Sequence, residues 1–379
     1  MSFSARQESF ESAERIVLKV GSRLLVDENG APSQSSINRL IEQIHLFREA
    51  GKEVILVSSG AIGCGMSITG QTTRPETIPE LQACAALGQA RLMSMYETAA
   101  SSHGFHCAQL LLTGDDVKGR KRHLNVVNCI AALLKRGVLP IVNENDSISV
   151  QEICFGENDY LAALVAVLSR SALTVLMTST DGMYRRDENG DLAERISTIP
   201  VLNDKIWKMA EGTDGNQLST GGMESKLRAA EVLMNAGEDL WIINGENGFS
   251  ALGGVLQGQD IGTFFPGKEA QMSSNKRWLA YFTGSAGALL LDDGAVCALQ
   301  EKGGSLLASG LKEVKGSFVK GDVIEIRSES GTLVGRGCSN YDSDALEKIK
   351  GLQSRFIKQI LGYHYYDEVI HRDNLVVLN

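Results

Sequence analysis

The chain has 379 residues, 43% of them hydrophobic and 22% charged, with a formal net charge of -9. This composition supports a sizeable core in two or three domains, and the acidic balance argues against nucleic acid or an anionic membrane as the main partner. Residues 268–379 hold 14 basic and 14 acidic side chains, so the whole excess of negative charge falls on residues 1–267.

Residues 1–14 are polar, carry no apolar signal core and read as a disordered N-terminal extension. Residues 16–20 form an apolar run between Arg15 and Gly21 and predict a buried strand. A helix is expected over residues 35–50, where Ile37, Leu40, Ile41, Ile44 and Phe47 share one face. Residues 53–57 predict the next strand, followed by a helix over 79–102, a strand over 106–112, a helix over 122–135 and a strand over 138–142. Residues 158–169 read as a helix, 173–178 as a strand, 225–236 as a helix and 239–243 as a strand. Nearly all-apolar strands that alternate with helices predict an α/β fold, a mostly parallel sheet sandwiched by helices.

The character changes near Pro266, the last of the six prolines. Short strand-like runs follow at residues 288–291, 295–299, 323–326 and 333–336, separated by turn signals such as Asp292-Asp293-Gly294 and Lys320-Gly321-Asp322. They predict a small, mainly β second domain after a linker over residues 258–274. The seven cysteines (64, 84, 107, 129, 154, 297 and 338) are widely spaced without a C-x-x-C pair. Neither a disulfide framework nor a zinc site is expected, and a reducing cytoplasm fits. With no run of 18 apolar residues, no membrane span is expected.

Ligands of parallel sheets sit beyond the C-terminal ends of the strands. Polar clusters fall at four such ends: Lys19-Val20-Gly21-Ser22, Ser58-Ser59-Gly60, Asn143-Glu144-Asn145-Asp146 and Thr178-Ser179-Thr180-Asp181-Gly182. Thr220-Gly221-Gly222-Met223-Glu224-Ser225-Lys226 adds a glycine turn at the mouth of a helix. Its backbone N–H groups suit phosphate oxygens, and Lys226 supplies a point charge at the same end. Lys19 either snorkels out of its strand end or faces the same phosphate. Phosphoryl transfer asks mainly for such positive charge and donors around the migrating group. The loop is not a Walker A motif, because its lysine lacks the preceding glycine, and no G-x-G-x-x-G follows a strand.

The amide- and carboxylate-rich stretches Asn143–Asp146 and Gly156-Glu157-Asn158-Asp159 either cap the helix at 158–169 or receive an ammonium group. The Ser59-Gly60-Ala61 turn can donate N–H bonds to a carboxylate, so an amino acid with a second carboxylate suits both halves. The six histidines show no ligand spacing. His371-Arg372-Asp373 echoes a protein kinase catalytic loop without the D-F-G that should follow, and reads as coincidence.

Together, Val17–Ser22, Val57–Ile62, Ile141–Asp146, Gly156–Asp159 and Thr220–Lys226 resemble the glutamate 5-kinase branch of the amino acid kinase family. Tyr341-Asp342-Ser343-Asp344-Ala345-Leu346, Gly362-Tyr363 and His371-Arg372-Asp373 resemble a PUA domain. The likeness runs over roughly residues 15–375 and implies a kinase domain over 15–267 with a PUA-like domain over 275–370. It further implies ATP as phosphoryl donor, Mg2+ as cofactor and the γ-carboxylate of L-glutamate as acceptor. By this resemblance Lys19 and Lys226 stabilise the transferring phosphoryl and Asp159 holds the two lysines. Ser59, Asp146 and Asn158 bind glutamate with Gly60, Ala61 and Asn143 nearby. Thr178, Ser179, Thr220, Gly221, Gly222, Met223, Glu224, Ser225 and Lys226 line ATP, with Lys19. The acceptor carboxylate is already ionised at neutral pH, so no general base is called for.

The family also implies feedback inhibition by proline and a homo-oligomer, a dimer or tetramer. One position departs from the pattern: Ser179 stands where the family carries aspartate, with Asp181 two residues later. This implies a tuned nucleotide affinity. Two other readings stand beside this one. The first is another amino acid kinase, for aspartate or acetylglutamate. The second is an RNA-binding regulatory protein with a vestigial kinase domain, which the neutral balance of residues 268–379 disfavours.

Overall fold

The computed structural model describes residues 4–27, 31–113, 116, 120–148, 158–186, 192–210, 222–268 and 285–378. The chain forms two units, Met1–Gln271 and Met272–Asn379.

The first unit opens with helix α1 (Ala5–Ser12) and strand β1 (Arg15–Val20). Helix α2 (Gln34–Glu49), strand β2 (Glu53–Val57), helices α3 (Ala61–Thr69) and α4 (Ile78–Ser102) and strand β3 (Cys107–Leu112) follow. Next come α5 (Arg120–Lys135), β4 (Leu139–Glu144), α6 (Asn158–Ser169), β5 (Leu173–Thr178) and the hairpin of β6 (Tyr184–Arg186) and β7 (Leu192–Arg195). Helices α7 (Asp204–Ala210) and α8 (Met223–Ala236), strand β8 (Asp239–Asn244), helix α9 (Ala251–Leu256) and strand β9 (Thr263–Phe265) complete it.

Seven strands form one sheet in the order β3-β4-β2-β1-β5-β8-β9. All its pairings are parallel except β8 with the edge strand β9. From β1 the chain steps to β2, skips to the edge strand β3, fills the gap between them with β4 and then lays β5 on the other side of β1. The crevice at that reversal opens beside the last residues of β1 and β5, where such sheets hold ligands. The central strands β1, β2 and β5 are buried along nearly their whole length, as a parallel sheet covered on both faces requires. Helix α2 turns Ile37, Leu40, Ile41, Ile44 and Phe47 inward, and its N-cap Ser33 accepts a hydrogen bond from the Ser36 N–H.

The N-terminal stretch corrects the expectation of disorder: Ala5–Ser12 is a docked helix. Its anchors are mostly polar, which is why apolar periodicity misses it. The Arg6 guanidinium lies over the Trp241 ring at 5.4 Å and pairs with Asp260 at 3.0 Å, while Phe10 meets Phe47 edge-on.

Helices α3 and α4 cross at backbone contact. A Cβ at Gly65 would stand 1.9 Å from the Cys84 carbonyl oxygen, and one at Gly88 would stand 1.8 Å from that of Ala61. Only glycine permits this approach, and it fixes the start of α3 against the middle of α4.

The second unit contains β10 (Ala288–Leu291), α10 (Asp293–Lys302), β11 (Leu306–Leu307), β12 (Leu311–Lys315), β13 (Val323–Ser328) and β14 (Leu333–Cys338). Helices α11 (Ser343–Ile349) and α12 (Ile357–Leu361) and strands β15 (Glu368–Ile370) and β16 (Leu375–Val377) follow. Its sheet runs β12-β10-β13-β14-β16, over a core that includes Leu289, Ile324, Ile326, Leu346 and Ile370. The strand expected over residues 295–299 is part of helix α10. Asp292, read as a turn residue, is its N-cap and accepts a hydrogen bond from the Ala295 N–H at 2.7 Å.

Candidate active site

Helix α6 is buried along nearly its whole length and packs against α8. Polar residues at both N-terminal ends meet near the end of β1. Asp159, in the first turn of α6, is 1% exposed. Its carboxylate takes Lys19 Nζ from β1 at 2.6 Å and Lys226 Nζ from α8 at 3.1 Å. The Ser225 hydroxyl donates to the same carboxylate at 3.1 Å, and Lys226 Nζ also donates to the Gly222 carbonyl at 3.3 Å. Burial raises the Asp159 pKa, but the two ammonium groups outweigh it and hold the carboxyl down to about 2. Lys19 therefore does not snorkel away; it is 9% exposed and shares a partner with a lysine more than two hundred residues further along.

Beside Asp159 a second set of polar groups starts from Asn158. Its Nδ2 donates to the Ser59 hydroxyl at 2.7 Å, the Ser58 carbonyl at 2.8 Å and Asn143 Oδ1 at 3.1 Å. Gly60, at φ 101, bends the chain at the end of β2 so that Ala61 opens α3, which leaves early N–H groups of that helix without intrahelical partners. Asp146 follows the end of β4. Burial, and then the neighbouring Glu144 carboxylate, push it up to about 6 against the pull of Arg74. Glu144 is itself buried, and its Oε1 accepts no hydrogen bond from a described residue. Two carboxylates so placed favour an arriving cation.

Thr178 closes β5, where its carbonyl accepts from the Gly245 N–H at 2.9 Å, and the Ser179 carbonyl accepts from Asn244 Nδ2 at 3.4 Å. Gly222 is the N-cap of α8, and Met223 is its first residue. Glu224 turns outward to pair with Arg228 at 2.7 Å. Thr220, Gly221, Gly156 and Glu157 lie outside the described residues. The structure thus gathers Lys19, Asp159, Ser225 and Lys226 in one group and Ser59, Asn143 and Asn158 in a second that adjoins it at Asn158–Asp159. Sequence reasoning missed Gln89, Gln109 and Tyr96. These sit on helical and strand faces where a single polar residue among apolar neighbours carries no spacing signal. Gln89 Oε1 accepts from Asn143 Nδ2 at 3.1 Å, and the Tyr96 and Ser58 hydroxyls bond at 2.8 Å.

Among the described residues no group of three His, Cys, Asp or Glu converges as for a metal. Both Asp159 oxygens already face lysines. Such a donor set fits a magnesium ion that arrives on nucleotide phosphates and keeps its waters, which needs no protein cage.

Two lysines thus share one buried carboxylate at the C-terminal edge of a parallel sheet, beside the N-terminus of α8. The sequence profile of the amino acid kinase family matches residues 14–244, and the chain belongs to that family. The PUA domain profile matches residues 287–361. Curated relatives narrow the class to proteins named glutamate 5-kinase. That of Caldanaerobacter subterraneus subsp. tengcongensis is 42% identical over 96% of this chain and 98% of its own. Those of Pelobacter propionicus and Pseudomonas entomophila are 41% and 40% identical, over 98% and 97% of this chain and 100% and 98% of theirs. The resemblance read from the strand-end motifs is borne out, as is an α/β kinase fold followed by a β-rich PUA domain.

Proposed function

We propose that this chain transfers the γ-phosphoryl group of ATP to the γ-carboxylate of L-glutamate, giving L-glutamyl 5-phosphate and ADP. This would be the first step of proline biosynthesis in the cytoplasm. One observation carries the reading. Asn158 and Asp159 are adjacent, and they bind two different groups: Asp159 holds the lysine pair, and Asn158 joins the Ser59 turn to Asn143. A phosphoryl clamp and a pocket for an amino acid thereby share one helix end.

In this mechanism Lys19 and Lys226 take the phosphoryl oxygens between them as charge builds there, and Asp159 fixes their spacing. The Gly222–Lys226 helix start receives the nucleotide phosphates, with Thr220 and Gly221 before it, and Thr178 and Ser179 lie along the nucleotide. Magnesium, carried on the phosphates, would supply charge neutralisation. Glutamate enters with its ammonium toward Asp146, Glu144 and the Asn158 carbonyl, and a carboxylate toward Ser59, Gly60 and Ala61. Its reacting carboxylate is ionised at neutral pH and attacks without a base. Proline, which shares an ammonium and a carboxylate with glutamate, would compete at the same groups, and the enzyme would act as a homo-oligomer.

An ADP-release assay across L-glutamate, L-aspartate, N-acetylglutamate and UMP tests the reading. Turnover with glutamate alone is expected; preference for any other acceptor overturns it.

A further inference from the structure

Beneath the proposed glutamate pocket runs a chain of side-chain amides that begins at a group of fixed polarity. The backbone N–H of Glu144 donates to Asn143 Oδ1 at 2.9 Å. A backbone N–H can only donate, so it sets which end of the Asn143 amide is oxygen without reliance on an assumed rotamer. Asn143 Nδ2 must then face the other way, where Gln89 Oε1 receives it at 3.1 Å. Gln89 Nε2 passes the direction on to Gln109 Oε1 at 3.1 Å. On the pocket side, Asn143 Oδ1 accepts from Asn158 Nδ2. The two protons of that amide are shared among three acceptors, Asn143 Oδ1, the Ser59 hydroxyl and the Ser58 carbonyl. Two consequences follow for the surface offered to a ligand. Asn158 has only its carbonyl oxygen left to present, an acceptor suited to an ammonium. The Ser59 hydroxyl already accepts, so its proton is free to be donated to a carboxylate.

Gln89 is the one member of this chain that comes from α4, and it is 8% exposed. It follows Gly88, whose close contact with the Ala61 carbonyl fixes α4 against the Ser59-Gly60-Ala61 turn. We infer that Gln89 is a positioning residue that, through Asn143, keeps the Asn158 carbonyl and the Ser59 proton turned toward the substrate. It thereby sets selectivity for an acceptor bearing an α-ammonium group. Without an acceptor at position 89, the Asn143 NH2 is buried and unpaired, and a shift of that side chain toward another partner draws Asn143 Oδ1 away from Asn158 Nδ2. The inference rests on the glutamate reading above.

Its test compares L-glutamate with glutarate, which is glutamate without the amino group, in the ADP-release assay on the full chain. Gln89→Met keeps the volume and flexibility of the side chain and removes the acceptor; Gln89→Glu keeps an acceptor toward Asn143. Gln89→Met is expected to raise the KM for glutamate about tenfold and to lower the glutamate-over-glutarate preference by about the same factor. The KM for ATP should stay within about twofold, and Gln89→Glu should retain most of the preference. Absence of glutamate turnover in the wild type overturns the underlying reading. Wild-type turnover with an unchanged preference in Gln89→Met overturns this inference alone, as does an equal loss in both variants.

Discussion

Two carboxylates in the kinase unit each hold two cations, and they differ in what surrounds them. Asp159 is 1% exposed and grips Lys19 and Lys226; Asp260 is 59% exposed and grips Arg6 at 3.0 Å and Arg195 at 3.2 Å. In both, burial raises the carboxyl pKa and the partners lower it to a net depression. The arginines also donate to backbone carbonyls, Arg6 to that of Ser197 and Arg195 to those of Gly262 and Asp260. Their planar forks tie α1 and β7 to the chain leading into β9. The lysines are compact ammonium groups on flexible stems, each with three rotatable donors. The same charge arithmetic gives a brace where water screens it and a clamp where water is excluded.

Breaking the clamp should have the largest effect. Lys226→Ala is expected to lower kcat by ~10²-fold or more, because a donor to the developing charge is lost. Steady-state turnover near the wild-type rate would remove Lys226 from its assigned role. Asp159→Asn leaves two lysines buried around a neutral amide, at a cost of about 3 kcal/mol. Its signature is a pH window. The depressed pKa contributes stability that is fully present above the unfolded value of about 4 and is lost as pH falls through about 2. Chemical denaturation between those pH values should show a steeper loss in the wild type than in Asp159→Asn; parallel curves refute the clamp's electrostatic origin.

Asp146 has the opposite sign, and its predicted effect is intermediate. Its pKa, raised to about 6, costs the free protein stability as pH climbs from about 4 to about 6. Below pH 6 the neutral carboxyl no longer attracts an ammonium, so the KM for glutamate should rise as pH falls. Asp146→Asn should raise that KM about tenfold and flatten its pH dependence. An unchanged pH profile would move the substrate ammonium elsewhere. The smallest effect is expected at the brace. Asp260→Ala should cost no more than about 1 kcal/mol in thermal unfolding and leave kcat unaltered. A change in kcat comparable to that of the clamp variants would erase the distinction between the two triads.

Much of the site is legible in the sequence, because β-strand ends are legible. Nearly all-apolar runs such as Leu173–Thr178 stop at polar residues, and in a parallel sheet those stops face one edge. That logic reaches Lys19, Ser59, Asn143 and Thr178. Asp159 and Lys226 come within reach once their helices are recognised. Gln89 stays hidden, since its role depends on an acceptor meeting Asn143 Nδ2 across 54 positions of sequence. The docking of α1 is hidden for a related reason. Arg6 and Asp260 are ordinary surface residues until Trp241 and Phe264 supply the rings beneath the guanidinium. The segment 295–299 is misread because a short apolar run suits a strand or a helix alike, and the Asp292 cap decides between them.

The order of apolar runs and the residues at their ends determined, by themselves, the parallel α/β class, the second unit and the chemistry on offer: two lysines, amides and carboxylates at one sheet edge. Which lysine shares which carboxylate, which face an amide presents and which arginine braces rather than binds were decided only by tertiary structure. Hydrophobic periodicity is a local property that the chain carries in its own spacing. The polarity of a hydrogen bond and the screening of a charge belong to pairs of groups, and folding alone brings those pairs together.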